Sequence, residues 1–219
     1  KKVLKSKGLA LAISFAFLMY MPLQRTNIFE FHSVSLAVTF LLCLFYFTYI
    51  KKYGWALLFL LLALLTKEQV GLTTTFFAGY LFFKKRRSDR KFALLVALIS
   101  IAWFVLSIWW IMPHFRQSQH FALSYYDDFG DSPLQVFLGI LTHPQKFAAY
   151  FLQPTVALYL FYLLAPLLFL PLLAPFILLI ALPEFAINFL SNNFHMQNIT
   201  LHYVAVIIPF VFIAAVFGL

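Results

Sequence analysis

The segment GWALLFLLLALLTKEQVGLTTTFFAGYLFF, residues 54–83, decides the fold of this chain, because a short polar stretch interrupts its apolar residues near the centre. The two apolar runs, 54–66 and 70–83, are each shorter than the roughly twenty residues of an ordinary membrane helix. Two interpretations are open. Either TKEQ (66–69) turns the chain back as a hairpin, or the whole segment is one crossing that buries its lysine and its glutamate.

The composition is that of an integral membrane protein. Hydrophobic residues make up 63% of the 219 residues, charged residues make up 11%, and the mean hydropathy is +0.91. A soluble protein of this length needs far more charged side chains to cover its surface, so the lipid bilayer is the expected partner. The net charge of +9 lies in short basic blocks between apolar runs, which is typical of membrane loops and argues against nucleic-acid binding. The one cysteine, Cys43, excludes an internal disulfide.

The positions of the basic residues distinguish the two interpretations of 54–83, because lysine and arginine gather in cytoplasmic loops. With a hairpin at TKEQ, twelve basic residues lie on one side of the membrane and four on the other. With a single crossing the division is eight against seven, and Lys67 lies in lipid at a cost of about 2.5 to 3.5 kcal/mol. We therefore predict the hairpin.

The predicted fold is an all-α, polytopic transmembrane helical bundle, with residues 1–219 forming a single transmembrane domain of about eight crossings. The hairpin places 27–33, TKEQ and the long loop 114–154 on the same, outer face. The predicted crossings are the apolar runs 8–23, 34–50, 54–66, 70–83, 92–113, 155–170, 172–182 and 203–219.

Two short helices are predicted within the outer loop, lying near the membrane interface. Asp131 or Ser132 caps the first, with Pro133 in its first turn, and His143 precedes Pro144 in the same manner. Apolar residues recur at spacings of three and four in both segments, which predicts an apolar face on each helix.

Glu30 and His32 stand directly before an apolar run, in the stretch NIFEFHSVSLAV (27–38). Ionisable groups are expensive to desolvate at a membrane border, so they face water, a partner or a cavity. In one interpretation Glu30 is a general base and His32 orients a hydroxyl or a phosphate oxygen. In the other, both are solvated loop residues before a helix capped by Ser33.

Further polar candidates lie at the ends of other apolar runs. Lys67 and Glu68 either bind an anionic group or form a hairpin turn in water. Glu184 and His202 are expected to reach the same outer cavity as Glu30, or else to be ordinary helix-end residues. Two more residues complete this set: Asn188, one helical turn after Glu184, and Tyr203, which alone would be an interfacial aromatic.

The remaining charged residues of the outer loop are weaker candidates for a metal site or a substrate-binding site. Asp127, Asp128 and Asp131 lack the ligand spacing of known metal loops, and a helix cap with two solvated acids is the better interpretation. Arg116 either pairs with a phosphate of the substrate or with lipid headgroups. No nucleotide or zinc motif is present. No metal site and no cofactor is assigned, with a divalent cation left open.

Four ordered motifs resemble one protein family across almost the whole chain. FEFHSVSLAV, LALLTKEQVGL, LPLLAPFILLIALPEFAINFLSNN and HYVAVIIPFVFIAAVFGL are similar to a family of prokaryotic multi-pass membrane proteins known as domain of unknown function 2079. That family is commonly grouped, by analogy of fold, with membrane glycosyltransferases of the GT-C type, which take sugars from polyprenyl-phosphate donors outside the cytoplasm.

This resemblance implies roles for the residues already singled out. Glu30 and His32 match an acid-x-histidine motif, Lys67 and Glu68 a lysine-acid motif, Glu184 a proline-acid motif, and His202 with Tyr203 a histidine-tyrosine pair. The relatives also carry an aspartate-containing outer loop nearer their N-terminus. The chain begins without methionine and ends in an apolar run, so we expect an internal fragment whose catalytic acid lies upstream.

The leading hypothesis is a plasma-membrane enzyme that transfers a sugar from a polyprenyl phosphate to an acceptor. A carboxylate, Glu30 or Glu184, deprotonates the acceptor hydroxyl, while Lys67, Arg116 or His202 balances the charge of the departing phosphate. The alternatives are a transporter or flippase for a lipid-linked or anionic solute, favoured by the prolines in 166–175, and a non-catalytic scaffold.

Overall fold

The structure is a computed structural model that describes residues 3–4, 6–83, 87–116 and 121–219, without the side chains of 87, 88, 116 and 121–123. Within this part of the chain there are helices and no strands, so the all-α prediction is confirmed. The α-helices are α1 (Lys7–Met19), α2 (Met21–Ile28), α3 (Ala37–Tyr49), α4 (Tyr53–Leu64), α5 (Val70–Phe83), α6 (Arg87–Leu106), α7 (Met112–Arg116), α8 (Pro133–Thr142), α9 (Pro144–Phe151), α10 (Pro154–Leu164), α11 (Pro175–Leu178), α12 (Leu182–Phe189) and α13 (Ile208–Gly218). Short 3₁₀ turns cover Ser33–Leu36, Phe121–Tyr126, Ala165–Leu167, Leu170–Leu173, Leu179–Ala181 and His202–Val204, and a π-helical turn covers Ser107–Ile111.

One helix in the described ranges is long and apolar enough to cross a membrane. It runs over Asp89–Phe115, where the π-helical turn joins α6 to α7 without a break. Two bent pairs raise the number to three if each is one span: α1 with α2, bent by 41°, and α9 with Pro154–Leu167, bent by 54°. The other apolar helices have 10 to 17 residues. By length and composition, one to three helices are therefore able to span a membrane, and the eight crossings stay a prediction.

The TKEQ turn separates two helices, as the hairpin interpretation requires. α4 ends at Leu64 and α5 begins at Val70, so 54–83 is not one continuous helix. α5 then packs closely on α6. A Cβ added at Gly71 would lie 2.8 Å from the carbonyl oxygen of Ser100, and the Thr74 hydroxyl donates to Ser100 Oγ at 2.8 Å. This close approach requires glycine at position 71.

The predicted crossing at 172–182 is an irregular helical segment in which 3₁₀ turns alternate with α-helical pieces, and Pro175–Phe189 form one short apolar helix. Leu168 and Phe169 adopt the left-handed conformation, with φ of 52° and 58°, and the helical pieces that follow have three to eight residues. Prolines at 166, 171, 175 and 183 explain the breaks, because proline lacks the N–H of a helical hydrogen bond and clashes with the preceding turn. This segment packs against α13, in which every residue from Ile208 to Ala215 is buried.

The two short helices predicted within the loop 114–154 are confirmed as α8 and α9. The Ser132 hydroxyl accepts a hydrogen bond from the Gln135 amide at 3.3 Å, so Ser132 caps α8. His143 makes no side-chain cap for α9, because its Nδ1 lies 3.0 Å from the hydroxyl of Thr142 instead. The apolar face of α8 is exposed at Phe137, Leu138 and Leu141.

Candidate functional site

Four segments that are distant in sequence bring their polar side chains together. They are the residues before α3, the TKEQ turn, α12 and the 3₁₀ turn that precedes α13. The Ser33 hydroxyl donates to the carbonyl oxygen of Thr66 at 2.7 Å and so ties the first segment to the second. We call the assembled group the polar cluster; its members are His32, Lys67, Gln69, Glu184, Asn188, His202 and Tyr203.

Glu184 is the buried carboxylate of the polar cluster. It lies in the first turn of α12, after Pro183 and beyond the apolar run 172–182, and its side chain is 1% exposed. Gln69 Nε2 donates a hydrogen bond to Glu184 Oε1, while Oε2 has no hydrogen-bond partner among the described residues.

The pKa of Glu184 places this carboxyl group in the range of a general base. Burial raises the pKa to about 7, because desolvation disfavours the ionised form. The charge of Lys67 and the hydrogen bond from Gln69 act in the opposite direction, and Glu68 adds to the increase. A carboxyl group with this pKa both accepts and releases a proton near neutral pH.

Asn188 lies one helical turn after Glu184 and is fully buried. Its amide nitrogen, Nδ2, donates to the backbone oxygen of Tyr203 at 3.0 Å and to the hydroxyl of Tyr159 at 3.3 Å. Both donors are therefore used by the protein. The amide oxygen, Oδ1, has no partner within the described part of the chain.

His32 and His202 stack face to face, with ring centroids 3.7 Å apart and planes inclined by 14°. Phe29 extends this stack, at 5.6 Å from His32 and 6.0 Å from His202. Burial lowers the pKa of His202 to about 4, and His32 and Lys67 lower it further through their charges. His202 is therefore neutral at physiological pH. Its Nδ1 is buried and has no hydrogen-bond partner among the residues described.

Lys67 supplies the positive charge of the polar cluster. Its Nζ lies 5.7 Å from the centre of the Tyr203 ring, within the range of a cation–π interaction. Its charge lowers the pKa of both Glu184 and His202.

The other predicted site residues lie outside the polar cluster or at its edge. The side chain of Glu30 is exposed, and its backbone oxygen, not its carboxylate, lies 2.8 Å from Nδ1 of His32. Glu68 is half-buried and close enough to Glu184 to raise its pKa. Arg116 ends α7, and its side chain lies outside the described residues.

Sequence reasoning missed two residues at this site. Gln69 belongs to the TKEQ turn, and its place in a polar interruption between apolar runs was the signal that could have found it. Tyr126 gave no such signal. Its hydroxyl donates to the backbone oxygen of Ile187 at 2.9 Å, and burial, followed by the charge of Glu184, raises its pKa.

The outer-loop acids make structural contacts. Asp127 accepts a hydrogen bond from Asn192 Nδ2 at 2.5 Å, and Asp128 accepts one from the hydroxyl of Tyr150. Both residues are exposed to solvent, as predicted, and their carboxylates also contact α9 and the residues after α12. Among the described residues, no group of three or more His, Cys, Asp or Glu side chains is placed to hold a metal ion.

The polar cluster combines a proton acceptor with a pKa near neutrality, a cation, two stacked imidazoles and an amide at the ends of apolar helices. This arrangement suits proton transfer from a hydroxyl group beside an anionic group.

Comparison with known proteins gives one match. Searches of curated proteins and of solved structures find no significant match to the chain. A family model described as "Predicted membrane protein (DUF2079)" matches residues 1–219, the whole chain. The chain therefore belongs to the DUF2079 family of predicted membrane proteins.

Proposed function

We propose that this protein is a multi-pass enzyme of the plasma membrane that transfers a sugar from a polyprenyl-phosphate donor to an acceptor hydroxyl at the extracytoplasmic face. The observation that carries the proposal is the hydrogen bond that joins Glu184, a buried carboxylate, to the turn that carries the cation Lys67, beside a stacked pair of histidines. Glycosyl transfer from a lipid phosphate needs both a base for the acceptor and a positive charge for the leaving group.

The proposed mechanism assigns the base to Glu184. Its carboxylate removes the proton of the acceptor hydroxyl, whose oxygen attacks the anomeric carbon of the donor sugar. The bond between that carbon and the phosphate oxygen breaks, and the lipid phosphate leaves with the bonding electron pair. Lys67 stabilises this anion, and Glu184 then releases its proton to water.

Glu184 is a better candidate for the base than Glu30, because a catalytic base works best with a pKa near the operating pH. Burial gives Glu184 such a pKa, whereas Glu30 is exposed. Glu30 is instead proposed to contact the substrate from the solvent side, next to His32.

The experiment reconstitutes the full-length protein in liposomes and supplies radiolabelled polyprenyl-phosphate sugars. We expect Glu184→Gln to reduce transfer by at least a hundredfold while membrane insertion stays normal. Asp131→Asn is the matched control, because it removes an exposed carboxylate outside the polar cluster. Transfer by Glu184→Gln at the wild-type rate would remove Glu184 from the mechanism.

A second candidate function is transport or flipping of a lipid-linked or anionic solute. It is favoured by the proline-broken segment between α10 and α12, with its left-handed residues Leu168 and Phe169, because transporters build binding sites from discontinuous helices. Flux of a fluorescent lipid-linked sugar across liposomes, without any transferred product, would favour transport over the enzyme.

A further inference from the structure

Three buried side chains of the polar cluster are each oriented by a contact within the protein. Each of them also has a second polar atom that lacks a hydrogen-bond partner among the described residues. Glu184 is held at Oε1 by Gln69, Asn188 is held at Nδ2 by Tyr203 and Tyr159, and His202 is held by its stack on His32. The unpartnered atoms are Glu184 Oε2, Asn188 Oδ1 and His202 Nδ1. The three side chains are 1%, 0% and 8% exposed.

Such atoms call for a partner from outside the described residues, because buried polar groups in native proteins nearly always have a hydrogen-bond partner. Glu184 and Asn188 lie one turn apart on α12, and Asn188 bonds the backbone of Tyr203, the neighbour of His202, so the three side chains are adjacent and their orientations are already fixed.

The chemistry of the three atoms selects the ligand. A carboxylate oxygen and an amide oxygen accept hydrogen bonds, and a neutral imidazole nitrogen accepts when its proton is on the other nitrogen. The ligand must therefore bring donors. A phosphate or a carboxylate would bring further acceptors, and a cation would be repelled by the ammonium group of Lys67, which lies over the Tyr203 ring next to His202. Neutral hydroxyl groups meet both conditions.

We propose that Glu184 Oε2, Asn188 Oδ1 and His202 Nδ1 form a subsite for the hydroxyl groups of a neutral sugar or polyol. The inference deepens the proposed sugar transfer and rests on it for the source of the ligand, which is either the sugar of the donor or the acceptor. The lipid phosphate then lies on the Lys67 side of the Tyr203 ring.

The test measures binding of neutral glycosides to the full-length protein in lipid nanodiscs. Saturation-transfer NMR uses methyl α-D-glucopyranoside and methyl α-D-mannopyranoside as probes, and phosphorus NMR follows inorganic phosphate as the anionic probe. We expect at least one glycoside to bind the wild-type protein, and saturating phosphate not to displace it.

Two variants locate the binding. Since Gln69 already donates to Oε1, glutamine at position 184 would direct its amide nitrogen where Oε2 now accepts, so Glu184→Gln is expected to weaken glycoside binding at least tenfold. His202→Phe preserves the ring stack, removes the imidazole nitrogens and is expected to weaken binding severalfold. Asp131→Asn, outside the polar cluster, should bind as the wild type does.

Three results would overturn the subsite: no glycoside binding by the wild type, displacement of the glycoside by phosphate, or unchanged binding by His202→Phe. The measurement on His202→Phe tests the subsite even if Glu184→Gln fails to fold. Glycoside binding without any sugar transfer would instead refute the proposed function and leave the subsite in place. Competition by a polyprenyl-phosphate sugar would assign the subsite to the donor sugar, and simultaneous binding of both would assign it to the acceptor.

Discussion

Gln69 donates a hydrogen bond to Glu184 and so joins the turn between α4 and α5 to the first turn of α12, 115 positions later in the chain. The bond fixes one oxygen of a buried carboxylate and leaves the other, Oε2, without a partner among the described residues. It also opposes the effect of burial on the pKa of Glu184. Gln69 is therefore a positioning residue for the polar cluster.

Removing the Gln69 amide is expected to raise the pKa of Glu184 above its value of about 7, because the hydrogen bond stabilises the ionised form. Gln69→Leu keeps a similar side-chain volume and removes the donor. The carboxyl stretching band of Glu184, followed by infrared difference titration, measures the change. The matched control is Gln135→Leu at the exposed cap of α8. A lower or unchanged pKa in Gln69→Leu would show that the bond does not stabilise the carboxylate.

Protein stability is expected to fall between about pH 4.5 and pH 7 because of Glu184. Its pKa is raised from 4.5 to about 7 in the folded protein, so the folded state binds more protons than the unfolded state in this window. This contribution is full below pH 4.5 and is lost as the pH rises through 7, with a maximum of about 3 kcal/mol.

The measurement is the difference in melting temperature between the detergent-solubilised wild type and Glu184→Gln, from pH 4 to pH 8. The low pKa of His202 has the opposite sign, with stability lost as the pH falls below 6.5, but it is common to both proteins and cancels in the difference. We expect the melting temperature of Glu184→Gln to rise relative to that of the wild type as the pH rises. A difference that is independent of pH would contradict the raised pKa.

Substitution of Gly71 is expected to destabilise the packing of α5 on α6. A Cβ at this position would lie 2.8 Å from the backbone oxygen of Ser100, which cannot move without shifting α6. Gly71→Ala should cost about 1 to 3 kcal/mol, measured as a lower melting temperature. Gly79→Ala lies in the same helix with no atom within 4 Å of the added Cβ and should be tolerated. Equal effects of the two substitutions would show that α5 and α6 do not approach this closely.

The predicted sidedness of the loops can be tested with an impermeant thiol reagent, after Cys43→Ser removes the natural cysteine. Cysteines introduced at the exposed positions 30 and 146 should react in intact cells, and one at the exposed position 52 should react only in inverted vesicles. Labelling of positions 30 and 146 from opposite sides would refute the hairpin topology, because a single crossing at 54–83 places these two positions on opposite faces.

The sequence alone predicted the membrane class, the all-α fold and the break at TKEQ. Composition and the distribution of charge are read directly from the sequence, and burying Lys67 and Glu68 inside one membrane helix costs free energy. The crossing at 172–182 stays a prediction, and closely spaced prolines give this segment short α-helical and 3₁₀ pieces that its apolar composition did not indicate.

The sequence also indicated six members of the polar cluster as candidates. Burying ionisable and amide side chains at the ends of apolar runs costs free energy, so such residues face water, a partner or a cavity. It did not rank Glu184 above Glu30, nor include Gln69. Burial of Glu184, its bond with Gln69 and the stack of His32 on His202 depend on contacts between segments more than a hundred residues apart. Side-chain hydrogen bonding and desolvation, which determine the pKa of a carboxyl group, are set by those packed neighbours, so only the tertiary structure decided which acid became the buried one.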